Sequence, residues 1–153
     1  MINPKIDSAT ANVEKPLRTT HIIWFAFFGS FTMFVLFSEM TKSAYIDGVE
    51  GDMGNPTVAL ALLLAGVAVV VASFVVKRML MSKAVAARSL ARVQNAYQVA
   101  FVLCEVSYLC GFVMRFRVVT NLHYILFILG ALGLLLHKPR RDDFLNAAFD
   151  QKA

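Results

Sequence analysis

Charge is scarce in this sequence. Only 16% of its 153 residues are Asp, Glu, Lys or Arg, while 58% are hydrophobic. Soluble domains sit nearer about 25% charged and about 45–50% apolar. Cysteine is nearly absent. Cys104 and Cys110 stand six residues apart in one apolar run, where a helix turns them to different faces and they cannot bridge. No disulfide framework, CxxC redox pair or zinc motif is present. Catalytic signatures are missing as well: there is no Ser-His-Asp order, HExxH, P-loop or GxGxxG. An ordinary soluble domain is thereby excluded, and no enzymatic site is nominated.

What the chain does have is apolar length. Thirteen phenylalanines beside one tryptophan and four tyrosines suit lipid contact. Residues 21–40, 57–76, 99–116 and 118–137 are apolar runs of about the 20 residues that a helix needs to cross a bilayer. Trp24 lies near one end of the first, where an interfacial indole belongs. The composition therefore predicts an all-α fold, an integral membrane four-helix bundle over 21–137. A polar segment, 1–20, precedes it and is expected to be flexible. Twenty polar residues ahead of the first apolar run argue against a cleaved leader. A basic tail, 138–153, follows. The segment 41–56, with three glycines, three acids and a proline, reads as a loop.

The stretch 77–98 is polar but contains no helix breaker. Arg88, Arg92 and Asn95 share one helical face, and Leu90, Val93 and Tyr97 another. A helical hairpin is expected here, either projecting from the membrane or lying on it.

The net charge is +5, yet no nucleic-acid-binding pattern accompanies it, so nucleic acid is not an expected partner. The basic residues flank the apolar runs instead. With four spans, the N-terminal segment, the stretch 77–98 and the tail fall on one side and hold twelve of the fifteen Lys and Arg residues. Lys42, Arg115 and Arg117 fall on the other. The positive-inside rule then places both termini in the cytoplasm and the chain in an inner, or plasma, membrane.

One residue breaks the apolar logic. Glu105 stands inside "FVLCEVSYLCGF" (101–112), seven residues past Gln98, roughly 10 Å into the third span at 1.5 Å per residue. A charge at such depth costs at least about 2.5–3.5 kcal/mol. It must face protein or water, take a partner, or carry a proton. Tyr108 shares its helical stripe and is a candidate hydrogen-bond partner. Beside that stripe run the small residues Ala100, Cys104, Ser107 and Gly111, which allow a second helix to approach closely. The second span offers its own small set, Ala65, Gly66 and Ala68 among them, at about the depth of Glu105.

A small-rich helix, a polar loop, and a helix with a mid-membrane Glu followed six residues later by Gly: this series resembles the proteolipid c subunit of rotary ATP synthases. The matching pieces are "LLLAGVAVVVAS" (62–73), "RSLARVQNAYQ" (88–98) and "AFVLCEVSYLCGF" (100–112). The resemblance implies that Glu105 binds and releases an ion in an oligomer. No Gln stands in the second span to help hold sodium, so the ion implied is a proton. Two other readings stay open. In one, Glu105 is a structural acid in a non-catalytic accessory subunit of a larger membrane complex. In the other, a small exporter couples protons to a substrate. His21 and His137 are the only two histidines at matching depth for a haem, but both sit where interfacial histidines ordinarily sit, so no cofactor is expected. The acids and glycines of 47–55 lack the fixed ligand spacing of a calcium loop, and no metal site is expected.

Overall fold

The computed structural model of the protein describes residues 4–41, 56–117 and 121–149, and all regular structure among them is helical. The helices are α1 (Pro4–Met40), α2 (Pro56–Ala86), α3 (Leu90–Arg117), α4 (His123–Leu136) and α5 (Arg141–Ala148). Proline opens both α1 and α2, the position where its missing N–H costs nothing and its fixed φ is already helical.

Three segments are long and apolar enough to cross a membrane: Asn12–Met40, Pro56–Ala86 and Leu90–Phe116. The fourth expected span is shorter than its apolar run suggests. It begins at His123, and its 14 residues extend about 21 Å at 1.5 Å per residue, short of the ~30 Å hydrocarbon core. The acidic segment expected to be a loop lies, from 42 to 55, outside the described residues, as does the calcium-like stretch 47–55 within it.

Ring and polar contacts define the directions. Along α1 and α3 the pairs Phe27–Phe101, Phe31–Tyr108 and Phe34–Phe112 advance together, so these helices run parallel. The pairs Trp24–Leu134, Phe31–Phe127 and Glu39–Tyr124 run in opposite senses, so α4 returns antiparallel to α1. Lys77 meets Tyr97, and Ser73 meets Cys104; α2 and α3 form an antiparallel hairpin.

The hairpin turn is three residues long. Ser89 N–H donates to Ala84 O at 3.1 Å and Arg88 N–H to Val85 O at 3.0 Å, the paired bonds that close a helix with a left-handed residue. That residue is Arg88, at φ 48. The Ser89 carbonyl then accepts from Arg92 and Val93 N–H and begins α3. On the flanks, Val93 and Tyr97 are buried while Arg88, Arg92 and Asn95 are exposed, the division that the 3.6-residue period predicts.

Two polar segments prove more ordered than the composition suggests. Residues 4–20, expected to be flexible, continue α1 as helix through Pro16. Val13 is fully buried in the same cluster as Phe144 and Ala147 of α5. The start of the basic tail is thus folded back on α1, because two apolar side chains on a short helix find a covered face there. The N-terminal part of α1, the α2–α3 turn region and α5 gather at one end of the bundle.

Close approach of α3 and α4 depends on glycine. A Cβ at Gly111 would lie 3.0 Å from Leu126 Cβ and 3.1 Å from His123 O. One at Gly130 would lie 3.1 Å from the Tyr108 ring and 3.2 Å from Cys104 O. Backbone and Cβ atoms cannot swing aside, so the helices themselves must separate. Gly111→Ala is expected to destabilise the protein by about 1–3 kcal/mol, the usual cost of overpacking. Gly29, whose added Cβ meets nothing within 4 Å, should instead tolerate Ala or gain up to about 1 kcal/mol from helix propensity. Thermal unfolding of both variants in detergent checks the order; equal midpoints would refute the tight α3–α4 contact.

Candidate functional site

Glu105 projects from the middle of α3 toward α1. Ser30 Oγ donates to Glu105 Oε1 at 3.1 Å. Among the described residues this neutral hydroxyl is its hydrogen-bond partner, and it forms no ion pair with a cation. The carboxyl is half-buried. Aromatic pairs bracket it: Phe27–Phe101 one turn before, at 5.7 Å between ring centres, and Phe31–Tyr108 one turn after, at 5.4 Å. These edge and tilted contacts are each worth about 0.5–1.5 kcal/mol beyond area burial, and they pin α1 over the carboxyl. Tyr108 is fully buried, and its hydroxyl lies by Glu105 and Ser30 without closing a hydrogen bond.

This arrangement corrects the geometry inferred from spacing. Glu105 was expected to meet the small face of the second span, and it meets the first. Ala100, Cys104, Ser107 and Gly111 are all buried, as a packing row should be. What covers much of the row is α4: Gly130 and Gly133 approach Cys104, and Leu126 approaches Gly111. On α2, Gly66 is buried beneath Leu126, whereas Ala65 and Ala68 are exposed. Apolar runs of similar composition cannot be ordered around a centre by periodicity, because every face of each is apolar.

A second polar cluster lies at the end of the bundle where α5 folds back. Ser73 Oγ donates to Val70 O at 2.6 Å. Its single proton being spent, the oxygen accepts from His137 Nε2 at 2.8 Å and, weakly, from Cys104 Sγ at 3.8 Å. Nearby, the Tyr97 hydroxyl donates to Asp143 Oδ2 and accepts the Arg140 backbone N–H at 3.0 Å. Lys77 Nζ stands 4.0 Å above the centre of the Tyr97 ring, a cation–π contact worth about 0.5–2 kcal/mol. The Phe144 ring stacks on Tyr97, 6.0 Å away and nearly parallel. Sequence reading passed over Tyr97 and His137 as a face residue and an interfacial histidine. The available signal was that Tyr97 directly precedes the third apolar run and His137 closes the fourth, at the same end of antiparallel helices.

His21 Nδ1 bonds to Leu17 O within its own helix at 3.0 Å, and His137 bonds to Ser73, so neither ring of the haem candidate is presented to the other. Among the described residues no group of three or more His, Cys, Asp or Glu side chains could hold a metal. In comparison with known proteins, no family model matches the chain, and neither a curated protein nor a solved structure does.

The Tyr97 hydroxyl has two partners, Arg140 just before α5 and Asp143 in its first turn. Tyr97→Phe leaves the Arg140 N–H and Asp143 without it, at an expected cost of about 1–2 kcal/mol for two part-buried groups stripped of a partner. Tyr124→Phe deletes the 2.6 Å bond to Glu39, which is exposed to solvent, and should cost under about 1 kcal/mol. Trypsin cleavage after Arg140 should accelerate in the first variant and not in the second.

Proposed function

We propose that this chain is a small multi-pass membrane protein in which Glu105 takes up and releases a proton within the bundle. The observation that carries the reading is the Ser30–Glu105 contact: a mid-span carboxyl facing a neutral hydroxyl and, among the described residues, no cation. A carboxylate in that setting is poorly compensated, and ionisable groups inside a span are functional candidates by default. The unpartnered Tyr108 hydroxyl supports the same reading, because a neighbouring hydroxyl can exchange donor and acceptor roles with a carboxyl that gains or loses a proton. The half-exposed position gives the proton a route that a sealed core would deny. The bias of basic residues favours an inner, or plasma, membrane with both termini in the cytoplasm. The broad apolar faces left on α1, α2 and α4, with Phe25, Leu64 and Ile128 all more than half exposed, suit lipid and an oligomer or larger membrane complex.

A second reading is favoured by the aromatic pairs that bracket the site. Rings fixed one turn to either side of Glu105 make the Ser30 contact a staple between α1 and α3. The chain would then be a non-catalytic accessory subunit.

Labelling with a hydrophobic carbodiimide separates the two, since the reagent attacks protonated carboxyls in lipid. The proton-site reading predicts labelling that rises as pH falls and disappears in Glu105→Gln, with the thermal midpoint nearly unchanged because Gln still accepts from Ser30. Absence of labelling at every pH, together with a marked loss of stability in Glu105→Gln, supports the staple and rejects the proton site.

A further inference from the structure

We infer that the groove between the end of α2 and the α4–α5 link is a binding site for the phosphate of an anionic phospholipid, with an acyl chain lying down the adjoining apolar wall. The inference stands apart from the role of Glu105 and uses none of its residues.

The groove encloses about 690 Å³, within the roughly 300–1,000 Å³ of small-ligand sites. Its chemistry is divided by level. Three cationic side chains, Lys77, Arg78 and Arg140, line it, with Asp143 as the single carboxylate. Asp143 is already engaged, accepting the Tyr97 hydroxyl, and Lys77 is held over the Tyr97 ring. Arg78 and Arg140 are exposed and have no ion-pair partner among the described residues. Their planar guanidinium forks match phosphate oxygens two at a time. The backbone fixes one of them, since the Arg140 N–H is tied to Tyr97 at 3.0 Å.

Depth selects the source of the phosphate. Lys77 and Arg78 are the first charges after the apolar run of α2, and Arg140 follows closely on that of α4. Basic residues at this level meet the headgroups of a leaflet. Below them the groove is walled by Phe74 and Leu136. Phe74 is 40% and Leu136 64% exposed, and the apolar surface runs on through exposed Val71 and Leu132 toward the middle of the spans. A free phosphate has no use for that wall. A lipid uses both halves, which is why the occupant assigned is a phospholipid and not a soluble anion.

The test uses the full chain, purified in a neutral detergent, with phosphatidylglycerol as probe and phosphatidylcholine as the uncharged control, read by native mass spectrometry. One phosphatidylglycerol per chain should be retained in preference to phosphatidylcholine. The double variant Arg78→Gln, Arg140→Gln should lose that preference by at least about tenfold, the scale set by two basic contacts to an anionic headgroup. Both side chains are exposed, and the Arg140 N–H bond survives the change, so the variant should keep the wild-type unfolding midpoint. Arg88→Gln with Arg92→Gln, on the exposed face beyond the groove, should retain the lipid. Equal retention of the two lipids, or unchanged retention in the Arg78, Arg140 variant, overturns the site. Displacement of the lipid by millimolar inorganic phosphate would show a soluble-anion site and overturn the assignment to lipid.

Discussion

Gly130 brings the backbone of α4 so near α3 that an added Cβ would stand 3.2 Å from the Cys104 carbonyl. Lipid offers no hydrophobic force to hold two apolar helices together, so association rests on close packing and on polar contacts. The glycine contact supplies the first and sets the depth of α4. From that depth the rest follows. Leu134 presents its carbonyl to Trp24 at 2.8 Å, His137 reaches Ser73 at 2.8 Å, and the chain leaves α4 at the level where Arg140 and Asp143 meet Tyr97. The small row of α3 is therefore spent inside the molecule.

Polar side chains in the bundle are few and act as connectors between helices. Ser30 joins α1 to α3, Trp24 joins α1 to α4, and Ser73 joins α2 to the end of α4. Each links elements far apart in sequence. Water is a poor competitor at these depths, so each bond counts for more in ordering the helices than it would on a soluble surface. Of the side chains that make these links, Glu105 and His137 carry titratable groups, and Glu105 sits on the seam between the first helix and the α2–α3 hairpin. Its bond to Ser30 is one of the contacts that join α1 to α3. The basic groove at the other locus depends on α5 staying folded back, which the Tyr97 hydroxyl and the Phe144 ring secure.

How much could be read in advance differs from one feature to the next. Glu105 announces itself, because a carboxylate in an apolar run has few physical explanations. Its partner does not. Ser30 is one hydroxyl in a run of phenylalanines, and serines in spans often bond only to their own helix, as Thr32 does to Phe28 O. Gly111 and its row were identifiable as a contact face, but α4 was not identifiable as what fills it. The fourth run was legible as apolar, while its late start at His123 turned on where the chain could begin a helix after α3.

Sequence by itself determined the all-helical class, three of the four segments it marked as spans, the amphipathic helical turn region around 77–98 and the position of Glu105 within an apolar run. These are consequences of local composition and of the 3.6-residue period, which act on neighbours along the chain. Only the tertiary structure decided which helix faces Glu105, that the polar ends of the chain dock on each other, and that Lys77, Arg78 and Arg140 share one groove. Those depend on which of several equally apolar faces pack together, a choice made by single glycines and hydroxyls whose partners lie dozens of residues away.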